Sequence, residues 1–174
     1  VNTHSVYSQM SGLLSVKKLI QLSKINRMGS LALTDVNCLS GFINFVKYCN
    51  SMEVKPIAGT NLVTKNEDII ILVENQIGYE NLCRILSKLH ENVNQKVSDM
   101  IIPYSSGLFI LTEDYSVLKQ LKPVISNTHL FIELRPGGSE FDAKKLSKKL
   151  KLEIIAPGNV YFHNMSDYES YIML

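Results

Sequence analysis

Residues 31–59 read LALTDVNCLSGFINFVKYCNSMEVKPIAG, and they contain one complete strand–helix–strand unit. The apolar run at 31–33 has the length of a buried strand, and the turn-forming Thr34 and Asp35 end it. A helix is then predicted from apolar residues at three- and four-residue steps: Phe42, Phe45, Val46 and Cys49. Lys55 precedes a proline, which disfavours helical backbone, so the helix closes there and a second strand begins.

Functional side chains in such βαβ units gather at the carboxyl ends of the strands. Asp35 stands at that place after the first strand, so it is the first candidate site residue. Strand and helix patterns alternate about seven times along the chain without an internal repeat, which predicts an α/β protein with a mostly parallel sheet. A chain of 174 residues is too short for a typical eight-fold barrel, so a smaller or distorted barrel is expected.

Three further segments have local interpretations. Gly29 is expected to end the helix that begins after Ser15. Residues 91–107 are polar and aperiodic, and they are expected to form a surface connection. The lysine run at 144–151 could contact DNA phosphates, but the solvated face of an amphipathic helix is the favoured interpretation.

The composition is that of an ordinary globular domain, with 45% hydrophobic and 20% charged residues. A net charge of +2 is too small to argue for nucleic-acid binding. The three cysteines are odd in number and share no CxxC spacing, as expected of reduced thiols in a cytoplasmic protein. No apolar run suggests a membrane span or a signal peptide. Because the chain starts at Val1 and stops on the apolar residues 171–174, it is expected to be part of a longer protein.

Three motifs together resemble the PHP domain family (polymerase and histidinol phosphatase). Residues 3–12, THSVYSQMSG, resemble the opening H-x-H-S-x-Y-S-x-x-D-G of that family. Residues 31–41 resemble its A-L-T-D-H-x-N-x-x-G element, and residues 55–59, KPIAG, resemble its K-P-I-x-G strand. Residues 78–82 and 106–111 are most similar to the version at the N-terminus of bacterial DNA polymerase III α subunits.

The resemblance implies a distorted (β/α)7 barrel of PHP type. It also implies one domain over residues 1–174, forming the N-terminal part of a much longer polymerase chain. In active members of the family, histidines, carboxylates and a cysteine at the strand ends hold up to three metal ions that cleave phosphate esters. These residue types suit that chemistry, because clustered divalent ions polarise phosphoryl oxygens and supply hydroxide near neutral pH.

Most positions that hold metal ligands in the family have become neutral or apolar here. By resemblance, Asn2 and Val36 stand for histidines, Ser11 for an aspartate and Asn61 for a glutamate. In the C-terminal N-D-x-H motif the aspartate and the histidine are replaced by Asn159 and Tyr161. A neutral pocket of this kind lacks the negative charge that several divalent cations require.

Four candidates retain chemistry. His4 keeps the second histidine of H-x-H, and Asp35 is kept in a position that mainly supports the site in the family. Asp68 and Asp114 stand, in looser alignments, for a histidine and a cysteine. His4, Asp68 and Asp114 are therefore weak metal candidates, while no metal and no catalytic residue is predicted for the domain. Glu133 and Arg135, at the end of a strand, are interpreted as structural.

The resemblance implies that the full-length protein is a DNA-directed DNA polymerase, a nucleotidyltransferase of DNA replication that uses magnesium and reaches DNA through its other domains. The domain itself is expected to be an inactive scaffold that stabilises the rest of the α subunit and helps dock a proofreading exonuclease subunit. Two alternatives stay open. One is a metal-dependent phosphoesterase, either a 3′–5′ proofreading exonuclease or a small-molecule phosphatase. The other is a stand-alone PHP-like binding protein.

Overall fold

The computed structural model describes residues 2–8, 12–92 and 95–173. The strands are β1 Asn2–Thr3, β2 Ser30–Leu33, β3 Lys55–Val63, β4 Asp68–Val73, β5 Leu108–Thr112, β6 Leu130–Glu133, β7 Ile154–Ile155 and β8 Asn159–Val160. The helices are α1 Val16–Ile25, α2 Phe42–Ser51, α3 Gln76–Glu91, α4 Val97–Ile101, α5 Tyr115–Leu121, α6 Glu140–Leu150 and α7 Tyr168–Tyr171, with 3₁₀ turns at Ile102–Tyr104 and Met165–Asp167. No helix in these ranges is long and apolar enough to cross a membrane.

The strands form a curled α/β sheet, which confirms the predicted fold class. One sheet runs in the order β2-β3-β4-β5-β6-β7, and β1 pairs with β8 in parallel. The amide of Thr34 donates to the carbonyl of Thr3 over 2.9 Å, so β1 lies beside β2 and continues the curl. Among the described strands, β4 alone runs antiparallel to its neighbours, so the sheet is mostly parallel as expected.

The βαβ unit that the sequence predicts is present as β2, α2 and β3. Helices α1 to α6 bury apolar side chains, and these divide into two clusters. The smaller cluster joins α1 and α2 to β2 around the fully buried Phe45 and Cys49. Burial raises the pKa of the Cys49 thiol to about 11, so this cysteine is an inert packing residue.

Two local predictions are wrong. Helix α1 ends at Ile25 rather than at Gly29, because Asn26 caps it and Arg27 takes a left-handed conformation with φ of 56°. Residues 91–107 are not only a surface connection. They contain α4, whose Val97, Met100 and Ile101 are fully buried in the larger cluster. A helix of five residues is too short to produce a periodic apolar pattern.

The β3–β4 hairpin decides which residues reach the carboxyl edge of the sheet. A short turn joins the two strands, and Val63 at the end of β3 pairs with Asp68 at the start of β4. The hydroxyl of Thr112, at the end of β5, donates to the carbonyl of Asp68 over 3.1 Å. Because β4 runs backwards, its first residue lies at the edge where β3 and β5 end.

Candidate functional site

The carboxyl edge of the sheet collects most of the positions that the sequence singled out. These positions are linked through contacts described below: Asn2, His4, Asp35, Val36, Asn61, Asp68, Asn159 and Tyr161. Ser11 lies outside the described residues. Asp114 is used elsewhere, because its Oδ1 accepts the amides of Ser116 and Val117 and caps helix α5.

Two asparagines bond to each other at the seam between β1 and β8. The Nδ2 of Asn2 donates to the Oδ1 of Asn159 over 2.8 Å, and these residues are direct partners in the parallel pairing. The hydroxyl of Thr34 donates to the Oδ1 of Asn2 over 2.7 Å, which ties the pair to β2. Since Asn2 is buried, this amide chain satisfies polar groups that would otherwise lack partners.

Asp35 is a buried junction between the first loop and β2. Its Oδ1 accepts the amide of Ser5 over 2.6 Å and the hydroxyl of Ser8 over 2.7 Å. Its Oδ2 accepts the hydroxyl of Ser5 over 2.8 Å. The backbone carbonyl of Asp35 also accepts the hydroxyl of Thr60 over 2.7 Å, which connects the junction to β3. Both carboxylate oxygens therefore hold the loop in place.

His4 lies fully buried against the ring of Tyr161. The two rings are stacked, with centroids 4.4 Å apart and planes within 6°. Burial lowers the pKa of His4 to about 4, although the charges of Asp35 and Asp68 oppose this shift. The imidazole is therefore neutral at pH 7. Its Nδ1 is 3.5 Å from the hydroxyl of Ser8, and its Nε2 has no hydrogen-bond partner among the described residues.

Val36 and Asn61 meet where β2 and β3 continue toward the edge. They form an isolated parallel bridge, in which the amide of Asn61 donates to the carbonyl of Asp35 over 3.3 Å. The amide of Val36 donates to the hydroxyl of Ser8 over 3.0 Å, and the Val36 side chain has no lone pair. The Oδ1 of Asn61 is buried and has no hydrogen-bond partner in the described part of the chain.

Asp68 belongs to a carboxylate ring that the sequence did not predict. We use this term for Asp68, Glu113 and Glu133, which surround the guanidinium of Arg135. The Nη1 of Arg135 is 2.9 Å from the Oδ2 of Asp68 and 3.6 Å from the Oε1 of Glu113. Its Nη2 is 3.1 Å from the Oε2 of Glu133. Strand-end position is the only sequence signal that could have pointed to Glu113, Glu133 and Arg135.

The charge of Arg135 holds the carboxylate ring together in a partly buried environment. Burial raises the pKa of Glu133, and the hydrogen bond and charge of Arg135 oppose that shift without cancelling it. Burial also works against the charge of Arg135, but Glu133, Asp68 and Glu113 raise its pKa overall. One oxygen of Asp68, one oxygen of Glu133 and the Nε of Arg135 are buried without a partner among the described residues.

A family model described as the PHP domain matches residues 1–163. The chain belongs to the PHP domain family. This PHP chain is 25% identical over 204 residues to DNA polymerase III subunit alpha of Haemophilus influenzae, and the match covers 98% of the chain and 18% of that protein. It is 28% identical over 116 residues to the same subunit of Staphylococcus aureus, covering 64% of the chain and 11% of that protein. It therefore spans less than a fifth of the length of these curated relatives.

A solved structure confirms the PHP type of the fold. It is a two-domain protein from Bacteroides vulgatus that contains a predicted PHP-like metal-dependent phosphoesterase. The TM-score is 0.68 and the match covers 92% of this chain and 50% of that one. The sequences are 10% identical, so this likeness shows the fold alone.

The residues of this PHP site do not fit the multi-metal centre that the family implies. In residues 2–8, 12–92 and 95–173, no group of three or more His, Cys, Asp and Glu side chains is placed to hold a metal ion. The donor chemistry gives the physical reason. Asn2 and Asn159 use each other as partners, Val36 offers no donor atom, and the cationic Arg135 would repel a divalent cation.

Proposed function

We propose that this chain is the N-terminal PHP domain of a bacterial replicative DNA polymerase III α subunit. The similarity to α subunits over 98% of the chain supports this assignment. The whole protein would be a cytoplasmic DNA-directed DNA polymerase that adds nucleotides with magnesium and binds DNA through its other domains. Its catalytic carboxylates would lie outside these residues. The domain itself would be a metal-free, catalytically inactive scaffold.

The observation that carries the scaffold proposal is that former ligand positions are engaged with protein partners. Asn2 bonds to Asn159, and Asp68 bonds to Arg135. Phosphate-ester cleavage by a metal cluster needs several lone-pair donors and enough negative charge to offset the dications. Several polar groups of the site instead join neighbouring strands, which is the property a scaffold requires.

Metal content of the purified chain is the first test. The chain is incubated with zinc, manganese and magnesium, freed of excess ions and measured by elemental mass spectrometry. Near-zero stoichiometry is expected, with a catalytically active PHP phosphoesterase treated in parallel as the positive control. Two or more tightly held ions per chain would overturn the metal-free scaffold.

A metal-dependent phosphoesterase is the second candidate, and one observation favours it. His4 is neutral, as a metal ligand must be, and its Nε2 lacks a partner among the described residues. The test is hydrolysis of single-stranded DNA 3′ ends and of p-nitrophenyl phosphate with manganese present. We expect no metal-dependent rate. A rate that manganese increases and that His4→Asn abolishes would favour this candidate over the scaffold.

Docking of a proofreading exonuclease subunit is the proposed role of the scaffold toward other proteins. The full-length α subunit and its exonuclease subunit should form a complex on a native gel, and excess chain 1–174 should release the exonuclease from it. A heat-denatured sample of the same chain is the control. An undisturbed complex at saturating chain would contradict this role. The length of the native gene distinguishes an α subunit from a stand-alone binding protein.

A further inference from the structure

One cation, Arg135, joins the ends of three neighbouring strands. It is two residues beyond the end of β6 and contacts Asp68 at the start of β4, Glu113 just after β5 and Glu133 at the end of β6. The Glu133 side chain is fully buried, whereas that of Glu113 is about half exposed. Glu133 therefore depends most on this guanidinium.

We infer that the Arg135 guanidinium is a built-in cation that takes the neutralising role of the metal ions in active PHP enzymes. The inference rests on the proposed metal-free scaffold. A metal ion neutralises carboxylates from several strands and so joins the strands. A guanidinium can do the same, because it is planar, permanently charged and able to bond more than one carboxylate at once. Arg135 makes these contacts at the edge of the sheet where the family holds metal.

The charges of the carboxylate ring and Arg135 act on His4 and Tyr161. The charge of Asp68 reaches His4, and the charges of Asp68, Glu133 and Arg135 reach Tyr161, which stacks on His4. If the guanidinium were absent, the carboxylates of Asp68 and Glu133, which lie 2.9 Å and 3.1 Å from it, would lose the cation that they share. Carboxylate oxygens are ligands that manganese accepts. A variant without the Arg135 charge should therefore be stabilised by a divalent metal ion.

The test compares the melting temperature of wild type with that of Arg135→Gln, each with EDTA or with manganese. Breaking a buried ion pair on one side leaves uncompensated charge, so the melting temperature of Arg135→Gln should fall by about 5 °C or more in EDTA. Millimolar manganese should restore a large part of this loss. Wild type should not respond. Arg84→Gln is the matched control, since Arg84 bonds Asn81 away from the carboxylate ring.

A second variant keeps the test decisive if Arg135→Gln does not fold. Arg135→Gln combined with Glu133→Gln removes the cation together with the buried anion, so it should be more stable than Arg135→Gln and respond less to manganese. An unchanged melting temperature for Arg135→Gln, or a loss that manganese does not repair in any of these proteins, would overturn the inference. Tight metal binding by wild type would instead overturn the proposed function, so the two failures are distinguishable.

Discussion

His4 shows how burial sets the chemistry of a single residue. Its ring is stacked on Tyr161 and fully buried, and its pKa falls from the ordinary 6.5 to about 4. Between pH 6.5 and pH 4, His4 is therefore protonated in the unfolded chain but neutral in the folded chain. The folded state should lose stability as the pH falls from 6.5 toward 4, by about 3 kcal/mol over the whole range.

His4→Phe should remove this pH dependence while keeping the stack on Tyr161. The free energy of unfolding is measured in urea at several pH values between 7 and 4.5 for both proteins, and the difference between them should shrink or reverse toward acid. Glu133 has a raised pKa, so above pH 4.5 it makes the folded state less stable as the pH rises. This contribution is the same in both proteins, so it cancels when their stabilities are compared. Parallel pH profiles would contradict the assignment of the effect to His4.

Asp35→Ala should be strongly destabilising, because it removes the acceptor of three bonds made by Ser5 and Ser8. The expected loss in the free energy of unfolding is roughly 3 to 5 kcal/mol. Asp35→Asn keeps the shape and part of the acceptor capacity, and should lose less. Under the proposed α-subunit assignment, Asp35→Ala in the full-length protein should leave DNA synthesis at low temperature largely intact. A folded variant that loses only a nuclease activity would argue against a structural role.

The elements were largely predictable where pattern and length agreed. The unit over residues 31–59 appears as β2, α2 and β3, because its apolar steps and turn residues favour the same structure. Helix α4 was missed since its three buried apolar residues span only one turn. Asp68 was a candidate only through the family resemblance. The antiparallel direction of β4 explains why this residue, which begins its strand, lies at the edge where β3 and β5 end.

The sequence predicted the part of the site that lies in short motifs, but it did not predict the carboxylate ring. His4, Asp35 and the asparagines stand within short motifs, so the sequence places them beside known strands. The carboxylate ring and Arg135 come from separate positions, residues 68, 113, 133 and 135, which only the folded sheet brings together. No spacing in the sequence states which of the many acidic residues will face Arg135.

The contact between α3 and the loop before β5 gives an element-scale prediction. A Cβ on Gly78, in the first turn of α3, would overlap the carbonyl of Gly107. The amide of Gly78 also donates to the Oδ1 of Asn75, which caps α3, so the glycine backbone cannot easily move away. Gly78→Ala should therefore lower the melting temperature by several degrees. Gly158→Ala is the matched control, since a Cβ there meets nothing within 4 Å. Equal melting temperatures for the two variants would contradict the close approach.

At the scale of the whole molecule, the curl of the sheet is completed by β8. In β8, Asn159 is the partner of Asn2. The carbonyl of Val160, also in β8, accepts a hydrogen bond from the amide of His4 over 2.9 Å. Tyr161 follows directly and covers the His4 ring. Strand β8 and Tyr161 therefore hold β1 and His4 in place.

A pair of truncations tests this closure. A chain of residues 1–163 keeps β8 and Tyr161, whereas a chain of residues 1–157 loses both. The shorter chain should melt at a clearly lower temperature and should be cut faster by protease near residues 2–8, because their bonds to β8 are gone. Similar melting and cleavage of the two truncated chains would show that β8 adds little.

The pairing of β1 with β8 also orders events during synthesis. Asn2 and Asn159 are 157 positions apart, so a ribosome adding about 5–20 residues per second needs roughly eight to thirty seconds between them. Until β8 is made, β1 can pair only with β2, and the His4 ring lacks its stacking partner Tyr161. Strand β1 is thus made long before it is secured, and a pause in translation before residue 159 would prolong the exposure of the site.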